Sequence, residues 1–568
     1  MNRSSTSGAI RSWLLLVIAL AWAWVIYQEL QEQRSLHSAF VSGGALVLAA
    51  VALANFNWRV PRITPIDAAL CLAVSALGVL PRILFFDEYP PPHGQLWEEA
   101  QMGMIAVDSI RHDALDSYFP FPNLMAEVGV RMLGVSMTAL RAPFVVAGIA
   151  AVPVFFAAAR ILGASTFAAT AAAGMFATSA YLAGAARIAF ETYSPIFTLC
   201  AALATAFHAS RRRSTAAFAL AGCFAGLLMT EYTSFKLYPP LLFAMLFLAL
   251  RASPESRRAP TVAARLGVFT VVALAVMAPV LVVPGSLYVQ VEGIIRHRAG
   301  MEPAAPLTER AIAAVGRARD SAEQVFLRGS NNDVLPDSTG VLDPVTGVVG
   351  LAALVFCGYR RWRFPPALFM LVAIAATVIL AGVLAGNPSR YRLTPIVPLY
   401  FLAIALAIDA LRRRWPSQRA GAAIAVAVAA LCAINLHLLL VVTVRHPQVR
   451  AEFGDRAMAQ ALEIDRLQRT FHGPVLLDTN ETYLGLPNDY AFHYDLNRVR
   501  TVRERTDLAF MDGVLLADFA RADELRALPS TGACSVETYE YGPLLGFSFL
   551  VCENHPSAQC TLDEDALP

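Results

Sequence analysis

The sequence predicts an α-helical polytopic membrane protein of about 13 transmembrane helices with a small extracytoplasmic α/β domain at its C-terminus. Three observations carry that expectation. Hydrophobic residues make up 57% of the 568-residue chain, charged residues only 15%, and mean hydropathy is +0.52, whereas soluble proteins carry roughly 25% charged residues. Apolar runs fit to cross about 30 Å of hydrocarbon recur near 10–28, 38–56, 66–86, 138–162, 164–184, 188–209, 215–231, 236–251, 263–283, 344–358, 364–385, 392–411 and 419–444. Basic residues, finally, alternate strongly between the segments that join those runs.

That alternation sets the orientation. With a cytoplasmic N-terminus, the short inside segments hold nineteen arginines, among them Arg211, Arg212, Arg213, Arg412, Arg413 and Arg414. The short outside segments hold five basic residues: Arg34, Arg187, Lys236, Arg390 and Arg392. Cations resist translocation, and an odd number of spans keeps the pattern intact. The first run lacks a small-residue cleavage site and leads straight into a second, so it reads as a span and not as a signal peptide. Residues 1–65 are then N-terminal membrane helices and 66–444 a transmembrane core with external loops at 87–137 and 284–343. Residues 445–568 form the exported domain.

The tail differs in composition from the core. "GPVLLDTN" and "DGVLLADFA" read as short buried strands, "RAMAQALEIDRLQRTF" has helical periodicity, and "YEYGPLLGFSFLVCE" reads as a hairpin pair. Cys534 and Cys552 flank that hairpin in a compartment that permits disulfides and are the expected pair, with Cys560 the third tail cysteine. Cys71, Cys200, Cys223, Cys357 and Cys432 fall in or beside spans, where a thiol behaves as a small apolar group. A net charge of +2 gives no reason to expect a nucleic-acid partner. The absence of a G-x-x-x-x-G-K-[ST] loop argues against an ATP-driven pump.

Polar residues gather on the expected outer face. "FFDEYPPPHGQLWEEAQMG", residues 85–103, places Asp87, Glu88, Glu98 and Glu99 in the first large external loop. "ARIAFETY" brings Arg187, Glu191 and Tyr193, "MTEYTSFKLYPP" brings Glu231, Tyr232, Lys236 and Tyr238, and "GNPSRYRLTP" brings Arg390, Tyr391 and Arg392. Each cluster alone reads most simply as interfacial anchoring, which Tyr and Arg favour. Three of them plus an acidic loop on one face favour a shared polar cavity, since charge at membrane depth seeks a partner or a cavity. "QLWEEAQMGMIAVDSIRH" reads as a short helix along the interface, with Met102, Ile105 and Ser109 on one side. Glu98 and Glu99 fall in its first turn, where acids also meet the helix dipole favourably. Neighbours on a helix diverge by about 100°, so only one of the two faces a given pocket squarely.

In order and sidedness these motifs resemble the PMT-type (dolichyl-phosphate-mannose protein mannosyltransferase-like) glycosyltransferases of the GT-C fold. "EEAQMG" at Glu98–Gly103, after Pro91, Pro92 and Gly94, is similar to the family's acidic pair in its first external loop. "ALRAPFVVAG" around Arg141, "ARIAFE", "EYTSFKLYPPLL" and "FLRGSNNDVLPDSTGVLDPVTGVVGL" continue the resemblance, which covers about residues 66–411. Two positions depart from the pattern: Glu98 stands where Asp is usual, and Lys236 where Arg is usual. Both keep the charge, although lysine lacks arginine's bidentate fork.

The resemblance implies a membrane glycosyltransferase that moves a hexosyl or pentosyl unit from a polyprenyl-phosphate carrier to a hydroxyl of a lipid, glycan or protein, at the outer face of a bacterial inner membrane. Glu98 is the expected general base and Glu99 orients or shares the acceptor. Lys236, Arg390 and Arg392 are candidates for the phosphate, Arg187 a further one, and Tyr232 a binding residue. The motifs identify no certain cofactor, and a divalent metal between the acids and the carrier phosphate stays open. The competing classes are a non-catalytic scaffold of the same fold and a lipid or solute transporter. A transporter commonly shows paired repeats and broken helices near the midplane, and the sequence shows no persuasive repeat.

Overall fold

A computed structural model describes residues 64–84, 120–134, 136–252, 259–277, 307–327, 338–361, 364–384 and 389–446, five strand segments after 474, and single residues near 99–110, 335–336 and 449–470. The runs expected at 10–28 and 38–56 lie outside the described residues. Contacts group the chain into two compact units. One comprises residues 1–86, 105–134 and 138–449, the other 87–104, 135–137 and 450–568.

The first unit is helical. Its described helices are α1 (Pro65–Ile83), α2 (Pro120–Leu133), α3 (Met137–Leu162), α4 (Thr166–Thr178), α5 (Ala180–Ala185), α6 (Pro195–Arg212) and α7 (Thr215–Met229). They are followed by α8 (Tyr238–Arg251), α9 (Ala259–Val276), α10 (Leu307–Phe326), α11 (Pro344–Arg361), α12 (Pro365–Leu384), α13 (Ile396–Arg414) and α14 (Gln418–His437). Short 3₁₀ turns at Thr233–Leu237 and Arg390–Leu393 lead into α8 and α13. Among the described residues, five segments are long and apolar enough to cross a membrane: Pro65–Ile83, Met137–Leu162, Thr233–Arg251, Pro365–Gly382 and Gln418–Thr443. Four shorter apolar helices accompany them, at Thr166–Thr178, Thr215–Met229, Pro260–Val276 and Pro344–Arg360. The chain is an integral membrane protein.

Local chemistry sets the helix starts. Proline occupies the first turn of α1, α6 and α8, where its missing N–H costs nothing. Ser165, Ser214 and Ser417 accept from the backbone N–H of Ala168, Ala217 and Ala420 and so cap α4, α7 and α14. Thr64 and Asp67 form a reciprocal capping box on α1. The continuous run expected over 164–184 breaks at Ser179, whose side chain caps α5. The span expected at 188–209 begins instead at Pro195, because residues 186–194 are not helical. The segment expected as a loop over 284–343 carries α10, packed along α12 where Gly382 admits the Ala318 backbone and Arg317 Nε donates to Gly382 O at 3.1 Å.

The core centres on α4 and α13, both buried along most of their length. Phe176 of α4 stacks on Phe155 of α3, ring centroids 4.4 Å apart, and meets Phe401 of α13 edge-on at 6.1 Å. Near the arginine-rich helix ends, buried acids tie the bundle. Asp67 accepts from Thr166 Oγ1 at 2.7 Å and pairs with Arg160 at 3.0 Å, and Asp409 accepts from Ser165 N at 3.1 Å. Helices α7 and α9 pack through Gly222 and Gly226, four residues apart. A Cβ there would stand 2.4 Å from Phe269 O and 2.6 Å from Ala273 O. Small residues at that spacing let membrane helices approach closely.

The second unit carries β1 (Val475–Asp478), β2 (Val499–Val502), β3 (Gly513–Asp518), β4 (Thr531–Tyr541) and β5 (Leu545–Asn554) in one sheet ordered β2-β1-β3-β5-β4. The first three strands are parallel, while β5 runs antiparallel to β3 and β4. The expected strands in "GPVLLDTN" and "DGVLLADFA" are β1 and β3, and the expected hairpin is β4–β5. The edge strand β2 was not foreseen. Much of the helix expected over "RAMAQALEIDRLQRTF" lies outside the described residues, although 467, 469 and 470 are helical.

Two predictions follow from these contacts. Gly226→Val should destabilise the helical unit by about 1–3 kcal/mol through overpacking against α9, read as a lower midpoint of thermal unfolding in detergent; a parental midpoint would refute the close approach. In the sheet, Cys534 and Cys552 are register partners on neighbouring antiparallel strands. Peptide mapping without reduction should recover them as one linked pair, and finding both thiols free or either joined to Cys560 would refute it.

Candidate functional site

Helix direction places three connections at one end of the helical unit. Helices α6 and α13 finish in Arg211–Arg212 and Arg412–Arg414, and α7 starts just past Arg213. The segments 186–194, 230–237 and 389–395 therefore lie at the opposite end from those arginines.

The three meet on one ring. Tyr391 takes Phe190 at 5.6 Å and Tyr232 at 6.0 Å between centroids, both edge-on, so it touches the first two connections from the third. Arg392 stands 5.2 Å from the same ring, a cation–π distance. The cluster extends through Phe190–Tyr193 at 5.2 Å and Tyr193–Tyr181 at 6.0 Å. Tyr181 OH and Thr394 Oγ1 are 2.8 Å apart, and Thr394 Oγ1 donates to Tyr391 O at 2.6 Å. Tyr232 is buried, whereas Tyr391, Arg392 and Lys236 are half-buried. Aromatic rings pack edge-on because the positive rim of one meets the negative face of another.

Two arginines from the expected phosphate set hold backbone instead. Arg390 is fully buried and donates to Leu335 O at 2.7 Å, Pro336 O at 2.8 Å and Thr339 O at 2.7 Å. Its guanidinium brackets the segment before α11. Arg187, equally buried, donates through Nε to Pro81 O at 2.9 Å and through Nη2 to Pro81 O at 2.6 Å and to Leu84 O. It caps the C-terminus of α1, where the last carbonyls have no intrahelical partner. In both, the guanidinium is tied to backbone carbonyls in a buried position.

Sequence reasoning missed a second brace. Asn435 of α14 donates to Asp343 Oδ2 at 2.8 Å and accepts from Ala180 N at 3.1 Å, while Asp343 Oδ1 accepts from Thr346 N at 3.0 Å and caps α11. The available signal was a lone Asn inside the apolar run "CAINLHLLL", since polar groups at membrane depth are costly unless paired.

Glu231 was noted only as part of its cluster. It lies in the connection between α7 and the turn before α8, outside the spanning helices, and is fully buried. Ser194 Oγ donates to its Oε2 at 3.1 Å, joining the first connection to the second. Burial pushes its carboxyl up to about 8, against the lowering effect of the hydrogen bonds from Thr198 and Ser194.

Of the two expected acids, Glu98 lies outside the described residues. Glu99 belongs to the second unit, is helical and buried with Met102 and Gly103, and has an interaction partner. In the helical unit a further buried acid, Glu127 of α2, accepts from Ser109 Oγ at 2.9 Å and Arg131 Nε at 2.7 Å. Among the described residues no three His, Cys, Asp or Glu side chains group as a metal site.

No protein-family model and no curated protein sequence matches the chain. Solved structures do. ArnT from Cupriavidus metallidurans, bound to undecaprenyl phosphate, superposes with a TM-score of 0.51 at 14% identity, over 86% of this chain and 97% of that one. The apo state of the same protein gives 0.46 at 14% identity, over 86% and 97%. The apo Archaeoglobus fulgidus oligosaccharyltransferase gives 0.46 at 13% identity, over 80% and 70%. The likeness to ArnT establishes the fold, which is the GT-C fold expected from the motifs.

The Glu231 carboxyl makes stability depend on pH. The folded state binds its proton more tightly than the unfolded chain, whose glutamate titrates near 4.5. That contribution is fully present below the unfolded value and is lost as pH rises towards about 8. Raising the pH from about 5.5 to about 9 should lower the parent's melting temperature relative to that of Glu231→Gln. Identical pH profiles for the two proteins would contradict the assignment.

Proposed function

We propose that the protein is a membrane glycosyltransferase that moves a hexosyl or pentosyl unit from a polyprenyl-phosphate carrier to an acceptor hydroxyl on a lipid, glycan or protein. The convergence of three connections on Tyr391, with Lys236 and Arg392 at the same end of a fold shared with ArnT, carries the reading. That the compared ArnT was solved with undecaprenyl phosphate supports a polyprenyl-linked donor. The arginine asymmetry supports an extracytoplasmic site in a bacterial inner membrane, with the sheet domain on the same side.

In the proposed reaction the acceptor oxygen attacks the anomeric carbon from the side opposite the phosphate. Glu98 takes the acceptor proton as the new C–O bond forms. The bond from the anomeric carbon to the phosphate oxygen breaks, and its electron pair leaves with the polyprenyl phosphate. Lys236 and Arg392 stabilise the charge that develops there. Glu99 orients the acceptor. Tyr232 and Tyr391 supply aromatic surface beside the phosphate, and Arg187 and Arg390 keep the connections in place. A divalent cation, if bound by the acids, would add charge stabilisation at the same phosphate.

The proposal is tested with one donor and one acceptor, carrier binding being measured separately. Glu98→Gln should lower transfer by roughly 10²-fold or more and leave carrier binding and folding intact, while Glu98→Asp retains part of the activity. Arg392→Gln should weaken carrier binding by about tenfold, equivalent to about 1.4 kcal/mol. Parental transfer by both Glu98→Gln and Glu99→Gln would remove the proposed base. Carrier binding without transfer by the parent would favour the scaffold reading. Membrane-impermeant thiol reagents should label tail cysteines in intact, reduced cells, and labelling only after lysis would reverse the sidedness.

A further inference from the structure

A groove of about 440 Å³ runs along α3, α6 and α7, from Phe197 in the first turn of α6 towards the arginine-rich helix ends. Small side chains make room for it: Ala157 on α3, Ala201 and Ala204 on α6, and Ala217 on α7. Its lining is otherwise aliphatic or aromatic, save Thr205 and His208. The Thr205 hydroxyl already donates to Ala201 O and Ala202 O within its own helix, so His208 is the polar feature of the wall.

The groove has a direction. Ile161, His208 and Ala217 lie towards the arginine-rich ends of their helices, and Pro153, Phe197 and Phe224 lie at the other end. Eight residues of α3 and eleven of α6 separate those levels, about 12–16 Å at 1.5 Å per residue. That matches the depth of one leaflet, about half of the 30 Å hydrocarbon core. At the open polar end stand Arg211 and Arg212, both exposed, and Arg211 Nη2 donates to Leu162 O at 3.1 Å, which sets it over the gap between α3 and α6. The sequence from Thr205 to Ala217 contains no acid. An apolar channel one leaflet deep, with cations at the headgroup level, complements a lipid with an alkyl chain and an anionic head.

We propose that this groove holds an acyl chain of an anionic phospholipid of the surrounding bilayer, with its phosphate at Arg211 and Arg212. Binding of anionic lipid there does not depend on the transfer reaction. Its consequence is selective retention of anionic lipid and stabilisation of the α3–α6–α7 contact, because a ligand that binds only the folded state raises its stability.

The test uses the full chain purified in detergent. Phosphatidylglycerol, chain-matched phosphatidylcholine, undecaprenyl phosphate and inorganic phosphate are each added, with retention read by native mass spectrometry and stability by thermal unfolding. Phosphatidylglycerol should be retained with roughly tenfold or greater preference over phosphatidylcholine and raise the unfolding midpoint, and inorganic phosphate should do neither. Arg211→Gln combined with Arg212→Gln should reduce phosphatidylglycerol to the level of phosphatidylcholine. Ala157→Phe fills the groove from an exposed position, so it should fold and lose the lipid-induced shift. Undiminished phosphatidylglycerol binding by Ala157→Phe, or equal retention of the two phospholipids, overturns the proposal. So does displacement of phosphatidylglycerol by stoichiometric undecaprenyl phosphate, which would give the groove to the carrier, or an equal shift with inorganic phosphate.

Discussion

Backbone carbonyls freed where helices break must be satisfied from within the protein, because hydrocarbon offers them no hydrogen bonds. Three fully buried arginines meet that need at one end of the bundle. Arg82 donates to Ala177 O at 2.9 Å, where α4 ends. Arg187 closes the end of α1, and Arg390 gathers Leu335, Pro336 and Thr339. Each is a planar donor with several N–H groups, so one side chain serves two or three acceptors in a fixed geometry. Without such donors, the irregular connections that carry the aromatic cluster would leave unpaired polar groups in a low-dielectric interior.

This division of labour gives the two ends of the bundle different characters. Near the arginine-rich helix ends, the buried acids Asp67 and Asp409 accept from helix N-termini and arginines, and the contacts are structural. At the opposite end buried cations and Asn435 hold backbone, and half-buried Arg392 stands beside the ring of half-buried Tyr391 at the aromatic centre. The Ser194–Glu231 hydrogen bond joins two of the three connections there, while Tyr391 joins all three. A displacement of any connection is therefore felt by the others, and such coupling suits a site that must present several groups to one substrate.

The apolar groove runs from the first turn of α6 towards the arginine-rich ends, and it follows from side-chain size along three helices. Alanines on α3, α6 and α7 leave an open groove along these helices, whereas Gly222 and Gly226 on the far side of α7 bring α9 into backbone contact. One helix thus has a tight face and an open face, set by the size of residues two or three positions apart.

Much of this was legible in the sequence because it depends on solvent partition and local chemistry. Hydropathy located helices such as α3, α7 and α12 to within a few residues, since a hydrocarbon slab imposes one length on any helix that crosses it. Short apolar runs and a hairpin pattern in the tail located β1, β3 and the β4–β5 pair. The motif order also pointed to the GT-C fold. Which polar residues are tied into the fold was decided by tertiary structure. Arg390 and Arg392 are two positions apart and chemically identical, yet one is buried among carbonyls and the other lies half-buried beside a tyrosine ring. Sequence records a charge, but burial and the partners supplied by distant segments determine what that charge does. Asn435 pairs with Asp343 and Ala180 across 92 and 255 residues, separations that no local pattern encodes and only the packed bundle brings together.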